Sequence, residues 1–253
     1  MLFNIVQTLN LQKDVIYGPV NSRRLGKSLG INLLPVNVKV CTFDCIYCHY
    51  GRTNFERSSI TFPSKDIVIQ KIENALNKWK NIDYLTFSGN GEPTLHPNFI
   101  EIVNETIKLR NEISPDIPIA ILSNSSMADN AKIREALEKF DACIMKLDVG
   151  DESTFKKINR PCNICLDKII NGLKNLKSFI LQCVMVDGKY QNVRGEALKN
   201  WIDAISVIKP KKVQIYSTDR PVAMEGVVKV EKVRLKKIAE EIEEQAGVAV
   251  GIY

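Results

Sequence analysis

Short apolar runs alternate with amphipathic stretches along almost the whole chain. The runs are rich in β-branched residues, and polar residues or glycines bound them, as is typical of buried strands. We predict six strands, at 30–36, 84–89, 117–124, 142–149, 179–186 and 212–218. Apolar residues at three- and four-residue spacing predict helices at about 65–80, 97–111, 129–140, 165–177, 194–208 and 230–246. A short last strand is expected in "VAVGIY" at the end of the chain.

Six strand–helix units in succession indicate parallel strands joined by right-handed crossovers. The predicted fold class is therefore α/β, a partial (β/α)6 TIM-like barrel of parallel strands in a single domain. We expect an N-terminal extension at 1–29, the barrel core at 30–222, and a C-terminal helix and short strand at 223–253. Barrels of this kind carry their chemistry at the carboxyl ends of the strands.

Polar residues share one face near the carboxyl ends of the predicted strands. Lys146 and Asp148 lie on the same side of the fourth strand, Gln182 interrupts the apolar fifth strand, and Asn124 ends the third. A parallel strand covered by helices is apolar on its outer side. These polar groups therefore indicate a lumen lined for binding.

Composition narrows the class of protein. The chain has 253 residues, of which 45% are hydrophobic and 25% charged, as in ordinary globular proteins. No apolar run approaches the roughly 18 residues of a membrane span, and the start lacks a basic leader, so we expect a cytoplasmic protein with no membrane partner. In that reducing compartment the seven cysteines favour metal ligands, catalytic groups or core residues over disulfides. The net charge of +6 permits RNA as a partner without requiring it.

The stretch "CTFDCIYC" places Cys41, Cys45 and Cys48 directly after the first predicted strand. Four cysteines would complete a zinc site or fully ligate an iron–sulfur cluster, whereas three leave one iron of a four-iron cluster open. The alternatives are a zinc site completed by His49, or cysteines that are simply buried. His49 is adjacent to Cys48, and such a neighbour rarely reaches the same ion.

The pattern Cys41-x3-Cys45-x2-Cys48, with Tyr47 before the last cysteine, resembles the signature of the radical S-adenosylmethionine (SAM) superfamily. "SGNGEP" at 88–93 is similar to the superfamily's glycine-rich motif. With "LDVGDESTFKKINRP" and "QIYSTDRP", the chain resembles from about residue 17 to 222 short proteins related to the tRNA wyosine-synthesis radical enzymes. Those enzymes carry a second cluster on upstream cysteines, and this chain has no cysteine before Cys41. The wyosine reaction itself therefore stays open.

The resemblance implies that the three cysteines hold a [4Fe–4S] cluster whose open iron binds the amino and carboxylate groups of SAM. Reduction then splits SAM into methionine and a 5′-deoxyadenosyl radical, which abstracts hydrogen from a substrate. The implied partners are a one-electron donor such as a flavodoxin or ferredoxin, and tRNA or a small-molecule substrate.

The resemblance also implies which residues hold SAM. Tyr47 would contact the adenine. Gly89, Asn90, Gly91 and Glu92 would line the methionine end, chiefly through their main chain, because glycine lets a backbone approach a ligand closely.

Roles for the residues at the strand ends follow less directly. Asn124 and Asp148 are candidates for the ribose hydroxyls, since a carboxylate accepts well from a diol. Lys146 and Gln182 could contact the cofactor carboxylate or the substrate. The structural alternatives are a turn cap for Asn124 and an ion pair for Asp148, for example with Arg160.

Several further features have two readings. "SRRLGK" carries Arg23, Arg24 and Lys27, which form either an anion site or a solvated basic surface. "DRP" at 219–221 either closes the mouth of the barrel or is a plain turn.

Cys162 and Cys165 form a second C-x2-C, which is either a redox pair or half of an auxiliary metal site. An auxiliary site would need Cys143 and Cys183. We expect those two to fill the core.

Three functions remain in competition. The first is a radical SAM enzyme acting on tRNA or a nucleotide-like molecule. The second is a non-enzymatic nucleic-acid-binding protein with a structural zinc ion. The third is a radical SAM enzyme acting on a peptide or small metabolite. The barrel-like order and "SGNGEP" favour radical SAM chemistry, because a zinc module needs neither.

Overall fold

The computed structural model describes residues 8–55 and 60–253. The first residues of the chain, on which the expectation about a secretory leader partly rests, lie outside this part. Among the described residues, none of the helices combines the length and apolar character needed to cross a membrane.

A single mixed sheet with helices forms the molecule. The strands are β1 (Ile16–Ser22), β2 (Gly26–Ile31), β3 (Tyr84–Phe87), β4 (Ile119–Ser123), β5 (Ala142–Lys146), β6 (Ile180–Gly188), β7 (Lys212–Ser217), β8 (Val227–Lys229) and β9 (Val250–Ile252). The helices are α1 (Lys65–Lys78), α2 (Phe99–Ile113), α3 (Ala131–Leu137), α4 (Glu152–Ile158), α5 (Leu166–Lys174), α6 (Gly195–Ile208) and α7 (Lys232–Ala246), with a short 3-10 helix at Pro93–Leu95.

The sheet confirms the predicted architecture. Its strand order is β1-β2-β3-β4-β5-β6-β7-β9, and β2 to β7 pair in parallel with their neighbours in the chain. The ends of the order do not pair, so the barrel is partial and open. All six carboxyl ends therefore meet at one edge of the sheet, where the predicted site residues were placed.

The N-terminal part of the prediction needs correction. The first parallel strand ends at Ile31, and residues 32–36 are not part of it. Residues 16–29 are not an extension outside the barrel, because β1 pairs antiparallel with β2 and forms one edge of the sheet. β1 contains a glycine and a proline and ends in Asn21 and Ser22, so it lacks the apolar pattern that identifies a buried strand. The short elements α4 and β8 were also missed.

Helices attach to the sheet through the apolar faces that the spacing predicted. In α1, Val68, Ile72 and Leu76 are buried, and the Ser64 hydroxyl caps the helix by accepting from the Ile67 N–H. In α6 the fully buried Trp201 donates from Nε1 to the Leu147 carbonyl at 2.9 Å. That bond fixes the chain just beyond β5, where the site begins.

Candidate functional site

The cysteine loop lies at the carboxyl edge of the sheet, between two other segments. On one side the Val40 N–H donates to the Asn90 carbonyl, and the Glu92 N–H donates to the Val40 carbonyl, both at 2.9 Å. On the other side the Ile46 N–H donates to the Ile158 carbonyl at 2.9 Å, at the end of α4. The loop is therefore held to the glycine-rich motif and to α4 by main-chain bonds.

Hydrogen-bond donors approach the loop sulfurs. The Phe43 N–H and Asn124 Nδ2 both lie 3.4 Å from Cys41 Sγ, and Asn159 Nδ2 lies 3.5 Å from Cys45 Sγ. Such N–H···S contacts stabilise sulfurs that carry negative charge, as thiolates bound to iron do.

Lys39 brings a positive charge to the same loop. Its side chain is buried, and its Nζ donates to the Gly51 carbonyl at 2.7 Å. Among the described residues no carboxylate pairs with it. Burial acts to lower its pKa, but the nearby sulfurs of Cys48, Cys41 and Cys45 outweigh that effect and raise it. A buried ammonium needs compensating negative charge, which these sulfurs can supply as thiolates.

Burial dominates the acidity of the loop thiols. It raises the pKa of Cys41 to about 11 and that of Cys45 to about 12, although Lys39 works in the opposite direction at Cys41. A metal centre that takes these groups as thiolates therefore displaces their protons. With the N–H donors and the Lys39 ammonium beside them, the three sulfurs fit an iron–sulfur cluster.

The zinc alternative fits less well. Within 8–55 and 60–253, no group of three or more His, Cys, Asp or Glu side chains is arranged to hold one metal ion. The His49 ring, its proposed fourth ligand, is hydrogen-bonded through Nδ1 to the Pro221 carbonyl at 3.0 Å. Thiolates of a cluster bind separate irons and do not have to converge on one point.

Gly89 and Gly91 are needed for packing within the protein, because neighbouring protein atoms leave no room for a side chain at either position. Gly91 has φ +138°, and an added Cβ would lie 1.8 Å from the Val40 carbonyl oxygen. At Gly89, with φ +131°, it would meet the Asn32 side chain at 2.5 Å. The absent side chains therefore make room for the cysteine loop and for Asn32, in addition to any ligand.

Replacing Gly91 with alanine is expected to lower the free energy of unfolding by about 3 kcal/mol or more, because a methyl group cannot fit against Val40. Gly247, which follows α7 with φ +65°, has no atom within 4 Å of an added Cβ. Gly247→Ala should therefore cost only about 1–2 kcal/mol, the penalty of the left-handed backbone. Urea unfolding of both variants measures the difference, and equal losses would contradict the steric explanation.

Asn90 and Glu92 serve the scaffold. The Asn90 side chain is fully buried, and its Nδ2 donates to the carbonyls of Gln12 and Pro35, each at 2.9 Å. The buried Glu92 carboxylate accepts from Thr94, from Ser123 Oγ at 2.9 Å and from the Asn124 N–H. Neither side chain is among those lining the two cavities described below, so a role of these residues at the methionine end is predicted only for their main chain.

A buried polar network surrounds Tyr47. Its hydroxyl donates to Asp148 Oδ2, and Asn159 Nδ2 donates to the same carboxylate oxygen at 2.6 Å. The other oxygen, Oδ1, accepts from the Val184 N–H at 2.9 Å and lies 3.3 Å from the Lys146 ammonium. The ion pair expected for Asp148 thus exists, with Lys146 as the partner.

Arg160 was the wrong partner for Asp148, because its guanidinium lies 3.1 Å from the Met224 sulfur. The Asp148 carboxylate is saturated by protein donors, so direct contact with a ribose would require one of them to leave. Burial acts to lower the pKa of Lys146, but Asp148, together with smaller effects from Tyr216, Cys45 and Cys183, outweighs burial and raises that pKa.

Two adjoining cavities open at this edge of the sheet. The inner cavity, of about 320 Å³, is lined by Tyr47, Cys48, Gly89, Gly91, Lys146 and Gln182 among others. The outer cavity, of about 330 Å³, lies between the β1–β2 hairpin and the end of β7. They share lining residues, including Tyr17, Ser88 and Tyr216.

Five of the nine predicted SAM-binding residues line the inner cavity: Tyr47, Gly89, Gly91, Lys146 and Gln182. Asn124 is one of the four that do not. Its Nδ2 donates to Thr42 Oγ1 at 2.9 Å and to Cys41, while its Oδ1 accepts from the Ser126 N–H. This is the turn cap considered in the sequence analysis, and it also supports the cysteine loop. Gln182 lines the inner cavity and accepts from the Tyr216 hydroxyl at 3.3 Å.

Sequence reasoning missed three polar residues at the site. They are Lys39, Asn159 and Asn192, the last of which donates to the Asp148 and Val184 carbonyls at 2.9 Å. Asn159 lies in the quoted stretch "KKINRP", and Lys39 is a lone charge in the apolar run "VKV" before the first cysteine. A charge isolated among apolar residues was the available signal.

The other four cysteines are not part of the cysteine loop. Cys143 and Cys183 are buried in the core, and Cys165 is exposed at the start of α5. The Cys162 N–H donates to the Thr42 carbonyl at 2.9 Å, so the second C-x2-C packs beside the cysteine loop. No auxiliary metal group is formed by the described part of the chain.

The fold and the loop define a class: open α/β barrels that carry three cysteines at the carboxyl edge of a parallel sheet. Residues 38–202 match the model of the Radical SAM superfamily. The chain belongs to that superfamily, which uses a [4Fe–4S] cluster and SAM, and membership implies an enzyme.

The similarity to curated proteins covers more of the chain than residues 38–202. The chain is 32% identical over 249 residues to the protein named GTPase Obg of Brachyspira hyodysenteriae, covering 96% of this chain and 35% of that protein. It is 37% identical over 217 residues to a UPF0026 protein of Methanocaldococcus jannaschii, covering 82% and 64%. The chain therefore spans only part of the length of these relatives.

A solved structure shares the fold. The structure of TYW1 with a lysine-pyruvate adduct bound has a TM-score of 0.61 and 15% identity, covering 87% of this chain and 74% of that one.

Proposed function

We propose that this protein binds SAM in the inner cavity and cleaves it reductively, so that the resulting radical abstracts hydrogen from a substrate in the outer cavity. The observation that carries the proposal is that Cys48, Gly89, Gly91 and Tyr47 line one cavity. Residues implied separately, by the cysteine signature and by the glycine-rich motif, thus border the same space.

The metal ligands are Cys41, Cys45 and Cys48 in this proposal. When bound, a [4Fe–4S] cluster supplies one electron to the SAM sulfonium, which yields methionine and a 5′-deoxyadenosyl radical. The chain itself positions the loop through Asn124 and Asn159 and supplies positive charge through Lys39. Closure of the site by residues 9–12, whose Leu9 N–H donates to the His49 carbonyl at 2.7 Å, helps exclude water.

Tyr47, Gly89 and Gly91 are the proposed SAM contacts, and Lys146 and Gln182 face SAM or the substrate from β5 and β6. Asp148 orients the Tyr47 hydroxyl and holds Lys146. We assign Asn90, Glu92 and Asn124 to positioning, because their side chains bond to the protein.

Lys146 is proposed to act as a cation. Its pKa is raised by Asp148, so it stays an ammonium near neutral pH, and an ammonium pairs with carboxylates but does not form an imine. In this respect it would differ from the lysine of the TYW1 structure, which contains a lysine-pyruvate adduct.

The substrate proposal is a nucleotide-like molecule or tRNA, with a flavodoxin or ferredoxin as the electron donor. It rests on the likeness to the wyosine-synthesis enzymes and on the mild basic charge. A peptide or another small metabolite is the alternative substrate class.

Anaerobic reconstitution tests the proposal. The protein should bind close to four irons per chain and, with dithionite, convert SAM to equal amounts of methionine and 5′-deoxyadenosine, as quantified by chromatography. Stoichiometric zinc and no 5′-deoxyadenosine would favour the zinc-binding alternative. Comparing tRNA nucleosides from cells with and without the gene then tests the tRNA assignment.

A further inference from the structure

The outer cavity carries unbalanced positive charge. Arg23, Arg24 and Arg220 line it, and Asp219 is its acidic residue. Asp219 is already paired, with Arg23 at 2.9 Å and with Lys229 at 2.5 Å. Among the described residues, Arg24 and Arg220 have no carboxylate within ion-pair distance. Two guanidinium groups therefore face the cavity without a balancing anion from the protein.

Arg24 is held in a defined position. It is half-buried, and its guanidinium carbon lies 4.4 Å from the centre of the Tyr216 ring. Stacking on an aromatic face orients a guanidinium, while its in-plane N–H groups stay available to a planar or tetrahedral oxyanion. A solvated basic surface, the other reading of "SRRLGK", would not place Arg24 against an aromatic ring in a cavity.

Tyr216 connects this position to the inner cavity. Its ring lines both cavities, and its hydroxyl donates to Gln182 at 3.3 Å. The Lys146 ammonium lies 5.9 Å from the same ring. A ligand anchored on Arg24 therefore has its other end at the boundary with the space proposed for SAM.

We infer that Arg24, stacked on Tyr216, and Arg220 form a subsite for an oxyanion group, a phosphate or a carboxylate, on the substrate. The inference rests on the proposed function, since it assigns the substrate side of the same site. At about 330 Å³ the outer cavity is near the lower limit of small-molecule sites, so it suits a small anionic molecule. An oxyanion gains more from the two guanidinium groups than a neutral molecule does, because its hydrogen bonds to them are between opposite charges.

Anion binding can be measured without radical chemistry. The reconstituted protein, saturated with SAM and kept free of reductant, is titrated calorimetrically with inorganic phosphate in one series and succinate in another. Arg24→Gln should weaken binding of the preferred anion by about tenfold or more, and Arg24→Lys by less, because a lysine keeps the charge but loses the planar fork. The matched control is Arg194→Gln, which removes an exposed arginine paired with Asp187 outside the cavity and should leave binding unchanged.

The outcomes separate the sources of the anion. If phosphate binds more tightly, the substrate's oxyanion group is assigned as a phosphate ester. If succinate binds more tightly, it is assigned as a carboxylate. The subsite would be refuted if Arg24→Gln and Arg194→Gln bound the anions with equal affinity, or if the unmodified protein bound neither anion. An unmodified tRNA transcript that displaces phosphate and loses affinity in Arg24→Gln would overturn the small-molecule assignment. Because no reductant is present, failure of SAM cleavage would refute the proposed function without affecting these results.

Discussion

Replacing Cys45 with alanine is expected to abolish both the iron content and the cleavage of SAM. The chain offers three thiols at the loop, and a cluster that already has an open iron cannot lose a second protein ligand without becoming unstable. Cys45 is also buried, and Asn159 donates to its sulfur, so neither water nor a neighbouring side chain can replace it readily. After anaerobic reconstitution, iron analysis should give well below four irons per chain, and 5′-deoxyadenosine formation should fall by about 100-fold or more.

Cys165→Ala is the matched control. Cys165 is exposed at the start of α5 and belongs to the second C-x2-C, so its loss should change neither iron content nor cleavage. Normal cluster content in Cys45→Ala would refute the ligand assignment. Loss of iron in both variants would instead point to a metal centre that includes the second pair.

Replacing Asp148 with asparagine is expected to lower the free energy of unfolding by about 3–5 kcal/mol, as is typical when one partner of a buried ion pair is removed. The Lys146 ammonium would then be buried without a counter-charge, and the asparagine amide would meet donors from Tyr47, Asn159 and the Val184 N–H. Urea unfolding provides the measurement, and SAM affinity should fall with it because Tyr47 loses its anchor.

Asp187→Asn serves as the control for that experiment. Asp187 pairs with Arg194 at 2.7 Å on the surface, where an ion pair contributes only about 0–1 kcal/mol. The double variant Lys146→Met/Asp148→Asn should recover part of the loss, because it no longer leaves an unpaired ammonium. Equal free energies of unfolding for Asp148→Asn and Asp187→Asn would show that the buried network around Asp148 does not stabilise the fold as expected.

The parallel part of the fold was predictable because its strands are buried on both faces. β3 to β7 are largely apolar, with polar residues mainly on one face, and the helices between them carry apolar residues at regular spacing. The β1–β2 hairpin was not predictable in this way. β1 has one exposed side and contains Gly18 and Pro19. It is stabilised by pairing with β2, and such pairing cannot be recognised from the local sequence pattern.

The site was predicted at the level of motifs and less well at the level of contacts. The cysteines and the glycines occur at fixed spacing, so their grouping could be read from the chain. Asn159 reaches Cys45 across 114 residues of sequence, and the Lys146–Asp148 pair depends on how the end of β5 is oriented. Contacts of that kind are decided by tertiary packing, which spacing alone does not encode.

The position of Lys39 has a consequence for the life of the protein in the cell. A charged amine beside three sulfurs is best compensated when those sulfurs are anionic, and as the proposed cluster ligands they would become anionic by binding metal. Filling the site therefore stabilises the native state by linkage. If the three cysteines hold the proposed cluster, chains made when iron is scarce should be less stable and be degraded sooner.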